Sequence, residues 1–350
     1  MTAAFSSLPL IKVGDLASLA SLDGDNDQDF SITVDDLSVS ASDVITLEAK
    51  TGSSVDFTAA TLMTGTAAEL ESVYTHSDNS RLSLRSSIKL TVSDEAASIA
   101  DINNLSSKTS GTVTATIASG TYAALSELTA TGNAYAMTVS DSITVSELNT
   151  LAGRTTGVIT ATISTQDATT LATLSETGHS LTITCATASV SSDQLAAINN
   201  ATTLSINATN VTTITGTVSG INSAYSSGFT GLGNETITLT DTSVAAADLN
   251  TLDVNTSGTI NANTVTTITG TASAANIAYA SDGITGLANE AVTLSDTSIV
   301  AATLNTLDGN TSGSVNASTV TTITGTASAA NSAYASDGIT GLANEAVTLS

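Results

Sequence analysis

Thr238–Val292 reads TLTDTSVAAADLNTLDVNTSGTINANTVTTITGTASAANIAYASDGITGLANEAV, and Thr293–Val347 reads TLSDTSIVAATLNTLDGNTSGSVNASTVTTITGTASAANSAYASDGITGLANEAV. Two copies this similar, joined without a linker, mark a repeat architecture, and repeats escape the usual division of a long chain into globular domains. The opening tetrapeptide, Thr-apolar-(Ser/Thr)-Asp, extends the pattern upstream. It begins at Thr91, Thr138, Thr238 and Thr293, is degenerate at Thr184 (TCAT), and restarts at Thr348. A weaker copy starts near Ser38. The spacing of these starts lengthens toward the C-terminus, and the last three, Thr238, Thr293 and Thr348, are evenly placed. The organisation expected is a leader over residues 1–36 and a repeat solenoid over 37–350, with units from about 38, 91, 138, 184, 238 and 293 and a truncated unit at 348. Because Thr348-Leu349-Ser350 opens a unit, further repeats are expected to follow in the native protein.

Each unit divides into two half-units. Val292-Thr-Leu294-Ser alternates apolar and polar, as a half-buried strand does. Val300, Leu304 and Leu307 then follow at i, i+4 and i+7, the stripe of an amphipathic helix. Pairs such as Ile102/Leu105, Leu148/Leu151, Leu195/Ile198 and Leu249/Leu252 repeat it. A glycine closes the segment at Gly111, Gly157, Gly258 and Gly313, where its conformational freedom suits a chain leaving a helix. The second half-unit runs from strands such as Thr112–Ile117 and Gly258–Ala262 into Ala-rich segments such as Tyr122–Leu128 and Ala272–Ile277, which read as helices. One half-unit cannot bury its apolar face alone, but stacked neighbours can. The fold class expected is an α/β solenoid of strand-turn-helix coils, two per ~46–55-residue unit, with a parallel sheet on one side; a pure β-solenoid is the alternative. Leucine-rich repeats share this grammar only as architecture, since their LxxLxLxxN signature is missing.

Composition agrees with thin layers. Hydrophobic residues make up 41%, aromatics only 3%, and Trp is absent. Charged residues are 11%, against roughly 25% in ordinary soluble domains, so Thr, Ser and Asn must form the polar surface. The 32 acidic and seven basic residues leave a net charge of −25, and nothing after Arg154 is Lys or Arg. Phosphate neutralisation, the basis of nucleic-acid binding, is not available to such a chain. Cations are its natural counter-partners. No apolar run reaches the ~18 residues of a membrane-spanning helix, so no membrane insertion is expected. The N-terminus MTAAFSSLPLIKVGDLASLA lacks a cleavable signal. The one cysteine, Cys185, sits where related repeats carry Val or Leu and reads as a buried apolar residue.

Candidate sites are few. Asp94, Asp141, Asp241 and Asp296 recur after the first strand of their units, with Thr187 in the degenerate one. They read either as a calcium ladder or, with the Ser or Thr that follows, as caps of the adjacent helix. Capping fits better, because residues recurring every second coil lie ~9–10 Å apart while calcium–oxygen bonds need about 2.3–2.6 Å. A sharper metal candidate precedes the repeats. With Asp25 as position 1 of an EF-hand-like loop, Asp27 and Asp29 fall at 3 and 5, the Ser31 carbonyl at 7, Thr33 at 9 and Asp36 at 12, after an entering helix over 13–22. The cofactor expected is Ca²⁺. Phe30 stands where the loop wants glycine, and the other reading is a solvated acidic linker. Thr-rich strands such as Val265–Thr271 suggest a flat ice-binding array, but Thr is equally an ordinary exposed strand residue. His76 and His179 lie in unlike contexts with no recurring nucleophile nearby, and no GxSxG, zinc cluster or phosphate loop occurs. The chain is read as non-enzymatic.

Through its Asp-Thr-Ser, Leu-Asn-Thr-Leu-Asp and Asn-Thr-Ser-Gly phrases, repeated over residues 37–350, the chain resembles the giant repeat-bearing, type I-secreted cell-surface proteins of marine cyanobacteria, including the swimming-motility kind. The resemblance implies a cell-surface or extracellular location, export without an N-terminal signal peptide, a calcium-rich exterior, and a role as adhesin, surface-layer or motility scaffold. The glycine-aspartate nonapeptides of calcium-binding secreted toxins are missing. A calcium-dependent binding module and a phage fibre or spacer are the alternatives. A surface glycan or protein partner is not named by any motif.

Overall fold

The computed structural model describes residues 10–22 and 30–350. Its strands pair in parallel and alternate with helices, so the chain is an α/β solenoid arrangement of stacked coils. The thirteen helices among the described residues exclude the pure β alternative. Two compact units are present: one runs to Ile163 and adds Gly178–Leu181, the other comprises Ser164–Thr177 and Thr182–Ser350.

In the first unit, Leu10–Gly14, Phe30–Val34, Val55–Phe57 and Leu82–Leu84 lie side by side in one sheet. A second sheet carries Ser38–Ser40, Leu62–Gly65, Lys89–Val92, Val113–Thr116, Ala134–Ile143 and Ile159–Ile163. The step from one strand to its partner follows the length of the enclosed helix. It is short around four-residue Leu16–Leu19, where Leu10 pairs with Phe30, and long around twelve-residue Ala67–Asp78, where Leu62 pairs with Lys89. It is short again around four-residue Tyr122–Leu125, where Thr114 pairs with Ala134. Strand geometry is thus held constant while helices absorb insertions, which explains much of the variation in unit length. The described part of the 1–36 leader is itself a coil of this stack, since Phe30–Val34 pairs in register with strands on both sides. The entering helix read over 13–22 is instead the end of a strand, Leu10–Gly14, and one helical turn, Leu16–Leu19.

In the second unit the strand step is nearly constant. Val190, Ile214, Ile237, Ile260 and Ile284 stack in register at almost even intervals, and all five are buried. Two such steps, Ile237 to Ile284, fall short of the full sequence repeat, Thr238 to Thr293. The difference is one extra strand in alternate coils. Between helices Ala246–Asn255 and Ala272–Ala280 lie two strands, Ile260–Asn261 and Thr267–Gly270. Between Ala272–Ala280 and Ala301–Asn310 lie three: Ile284–Thr285, Ala291–Leu294 and Ser298–Val300. Each five-stranded sheet therefore drifts across the coils. The sheet that begins at Ser243–Ala245, the third strand of one long coil, ends at Ile339–Thr340, the first strand of another.

Helix faces follow the predicted stripes with one correction. Leu304 and Leu307 are fully buried, but Val300 is 48% exposed, and Ala301 takes the inward position. Val300 ends the preceding strand, so its side chain obeys the strand's alternation rather than the helix period. The intervening helix buries only Ala272, Ala275 and Ala278. Small residues there let successive helices approach closely. Cys185 is buried, as its apolar neighbours suggest.

Candidate functional site

The recurring aspartates are caps, and they cap across coils. Isolated helix termini leave their first N–H groups without partners. Within its own coil, Thr217 accepts the N–H of Gly220 at 3.1 Å, and Thr271 that of Ala274 at 3.2 Å. The first helical N–H is satisfied from the following coil. Asp241 accepts from Val218 at 2.8 Å, Asp296 from Ala272 at 2.8 Å, Asp141 from Tyr122 at 2.9 Å, and Asp94 from Ala67 at 2.6 Å. Thr187 does the same for Ala168 at 2.7 Å, so the degenerate unit keeps the bond without the charge. A carboxylate at a helix N-terminus also meets the positive end of the helix dipole.

Asp36 belongs to this series. Its carboxylate accepts the N–H of Leu16 at 2.6 Å, and Thr33-Val-Asp-Asp36 is an early copy of the unit's opening tetrapeptide. Of the other residues in the calcium-loop reading, Ser31 and Thr33 lie within the strand Phe30–Val34, paired with Ile11 and Val13. Asp25, Asp27 and Asp29 lie outside the described residues. Among the described residues, no group of three or more His, Cys, Asp or Glu side chains is placed to hold a metal.

A second device joins coils at the Thr-x-Gly step. The Thr256 hydroxyl donates to the carbonyl of Glu235 at 2.8 Å and accepts the N–H of Gly258 at 3.0 Å. Thr311 repeats this with Glu290 and Gly313, and Thr155 with Tyr135 and Gly157. All three threonines are buried. The glycines are required for a reason other than the one the sequence suggests. None has a positive φ. A Cβ on Gly258 would collide with the Glu235 carbonyl of the preceding coil, and one on Gly313 with that of Glu290.

The same glutamates anchor a third bond, within their own coil. Glu235 and Glu290 are fully buried. Tyr225 donates its hydroxyl to Glu235 at 2.7 Å, and Tyr279 to Glu290 at 3.0 Å. Backbone N–H groups of Gly233 and Asn234 on the first, and of Ala288 on the second, complete each carboxylate's shell. Burial, reinforced by the adjacent carboxylate, pushes both tyrosine hydroxyls well above their ordinary value. Fourthly, an asparagine ladder crosses the helices. Asn222, Asn250, Asn276 and Asn305 each donate an amide hydrogen to the next helix, at the carbonyls of Asp248, Ala274, Thr303 and Ala329, at 2.9–3.0 Å.

The two histidines serve unlike local roles. His76 Nδ1 lies 3.2 Å from Glu48, a 4%-exposed carboxylate that also meets Arg81. His179 Nδ1 accepts the N–H of Ile159 at 3.2 Å. Asn133 and Thr155 hold the same position in earlier coils, accepting from Val113 and Tyr135 at 2.7 Å. The Thr-rich strands stack in register, with Thr215, Thr238, Asn261 and Thr285 in one solvent-side column. Of these links, the sequence disclosed only the capping aspartates. The Tyr–Glu pairs and Thr-x-Gly steps recur in the last two units and were legible there only as repetition.

No protein-family model matches the chain, and no curated protein is significantly similar to it. Among the described residues, no helix is long and apolar enough to cross a membrane.

Proposed function

We propose that this chain is a structural repeat segment of a secreted or cell-surface protein, an adhesin or a surface-layer or motility scaffold, in which stacked coils set spacing. The observation that carries this reading is the direction of the recurring polar side chains. Asp296, Thr311 and Asn276 each bond a neighbouring coil, so a unit can be duplicated without disturbing its neighbours' chemistry. Residues 238–292 and 293–347 are such a duplication. An outer surface carrying almost no Lys or Arg also suits a cation-rich exterior.

The test is surface labelling of the native cell. Antibody raised against residues 293–347 should stain intact cells, and external protease should remove the signal. Staining only after lysis would sink the proposal.

A further inference from the structure

We propose that the groove between helices Val218–Tyr225 and Ala246–Asn255 binds an amino sugar. The inference goes beyond the structural role above and would leave that role standing if it failed. The groove is open to solvent, measures about 450 Å³ and is lined by polar side chains, among them Ser223, Ser226, Asp248, Thr251 and Asn255. Its volume lies in the range of small-molecule sites, roughly 300–1,000 Å³, but its lining is far more polar than usual.

The hydrogen-bond inventory defines the ligand. A hydroxyl has one hydrogen to give. Ser223 gives its hydrogen to the Ser219 carbonyl, Ser226 to the Asn222 carbonyl, and Thr251 to the Ala247 carbonyl. These three hydroxyls therefore offer lone pairs to a ligand, and Asp248 adds an exposed carboxylate. The Asn255 amide gives one hydrogen to Asn222 and keeps a second. A ligand complementary to this wall has several donors, a positive charge for Asp248, and oxygens that can accept from an amide. An anion is disfavoured by the charge of the chain. A sugar bearing a free ammonium group meets all three conditions. The next repeat supplies a natural contrast: at the matching positions it carries Ile277 for Ser223, Ala280 for Ser226 and Thr303 for Asp248.

Titrating the full chain with glucosamine, glucose and N-acetylglucosamine by calorimetry tests the assignment. Saturable binding of glucosamine is expected, with glucose and N-acetylglucosamine weaker by about tenfold or more, the scale of one charge-assisted hydrogen bond. Asp248→Thr should lower glucosamine affinity by a similar factor. That variant installs the residue the next repeat uses at the same place, so the fold is retained, and circular dichroism checks it. Absence of saturable glucosamine binding, equal affinity for the three sugars, or an unchanged Asp248→Thr titration would each overturn the proposal.

Discussion

The carboxylate of Asp296 accepts the backbone N–H of Ala272, one coil upstream, at 2.8 Å. The bond closes a helix terminus with a group from outside the helix, which makes the stacking of coils and the capping of helices one event. Asp296→Ala should destabilise the protein by about 0.5–2 kcal/mol, the usual range for a lost cap. Asp296→Thr should cost less, because Thr187 already performs the task for Ala168. Urea unfolding measures both. Asp241 and Asp296 share no bonded partner, so the Asp241→Ala/Asp296→Ala double variant should lose close to the sum of the single effects.

At the Thr-x-Gly step, two substitutions separate hydrogen bonding from space. Thr256→Val keeps the shape but leaves the Glu235 carbonyl and the Gly258 N–H without their partner, at a cost of about 1–3 kcal/mol. Gly258→Ala forces a methyl group against backbone that cannot yield locally, so it should cost about as much or more. Gly309→Ala is the control, since a Cβ there meets open space. It lies in the last turn of helix Ala301–Asn310 without a positive φ, so the change should stabilise slightly, by roughly 0.4–1 kcal/mol. Chemical denaturation of the three variants beside the parent protein checks the ordering.

The half-buried tyrosines bonded to Glu235 and Glu290 predict an alkaline limit to stability. Their folded pKa values are raised, so the folded state holds these protons more tightly than the unfolded chain. Stability from this source is complete below the unfolded value near 10 and falls as pH rises through the folded values. Thermal unfolding midpoints should decline above about pH 10. The loss should be smaller in Tyr225→Phe/Tyr279→Phe, although that variant starts from a lower midpoint because two buried glutamates each lose a donor. Residues 155–350 contain no Lys or Arg to obscure the tyrosinate titration there.

His179 stands where other coils use Asn133 and Thr155, and the shared requirement is an acceptor for a buried backbone N–H. His179→Asn should remain within about 1 kcal/mol of the parent protein, while His179→Ala should lose about 1–3 kcal/mol. Guanidinium unfolding distinguishes them. Equal losses would show that the imidazole matters for its bulk rather than its acceptor nitrogen.

Much of the architecture was legible in local pattern. Leu304 and Leu307 announce a helix face, and Val292 and Leu294 a strand face, because both periods are written within a few residues. The misreadings share a cause. Val300 fits the helix stripe on paper, because a strand ending directly before a helix leaves no signal of its own. Gly258 suggests left-handed backbone, because that is the commonest local need for glycine; the real constraint, the Glu235 carbonyl, belongs to the preceding coil. The Asp36 carboxylate accepts the N–H of Leu16, a bond that the local spacing of its loop does not announce.

The sequence by itself determined the repeat and the alternation of strand and helix, which depend on neighbours within a single turn or strand, and it marked the recurring aspartates as caps. Tertiary structure alone decided which coil each aspartate caps, where glycine is obligatory, and how a long sequence repeat accommodates a shorter strand step. Those outcomes depend on groups well separated in the chain that meet only when one coil is laid on another.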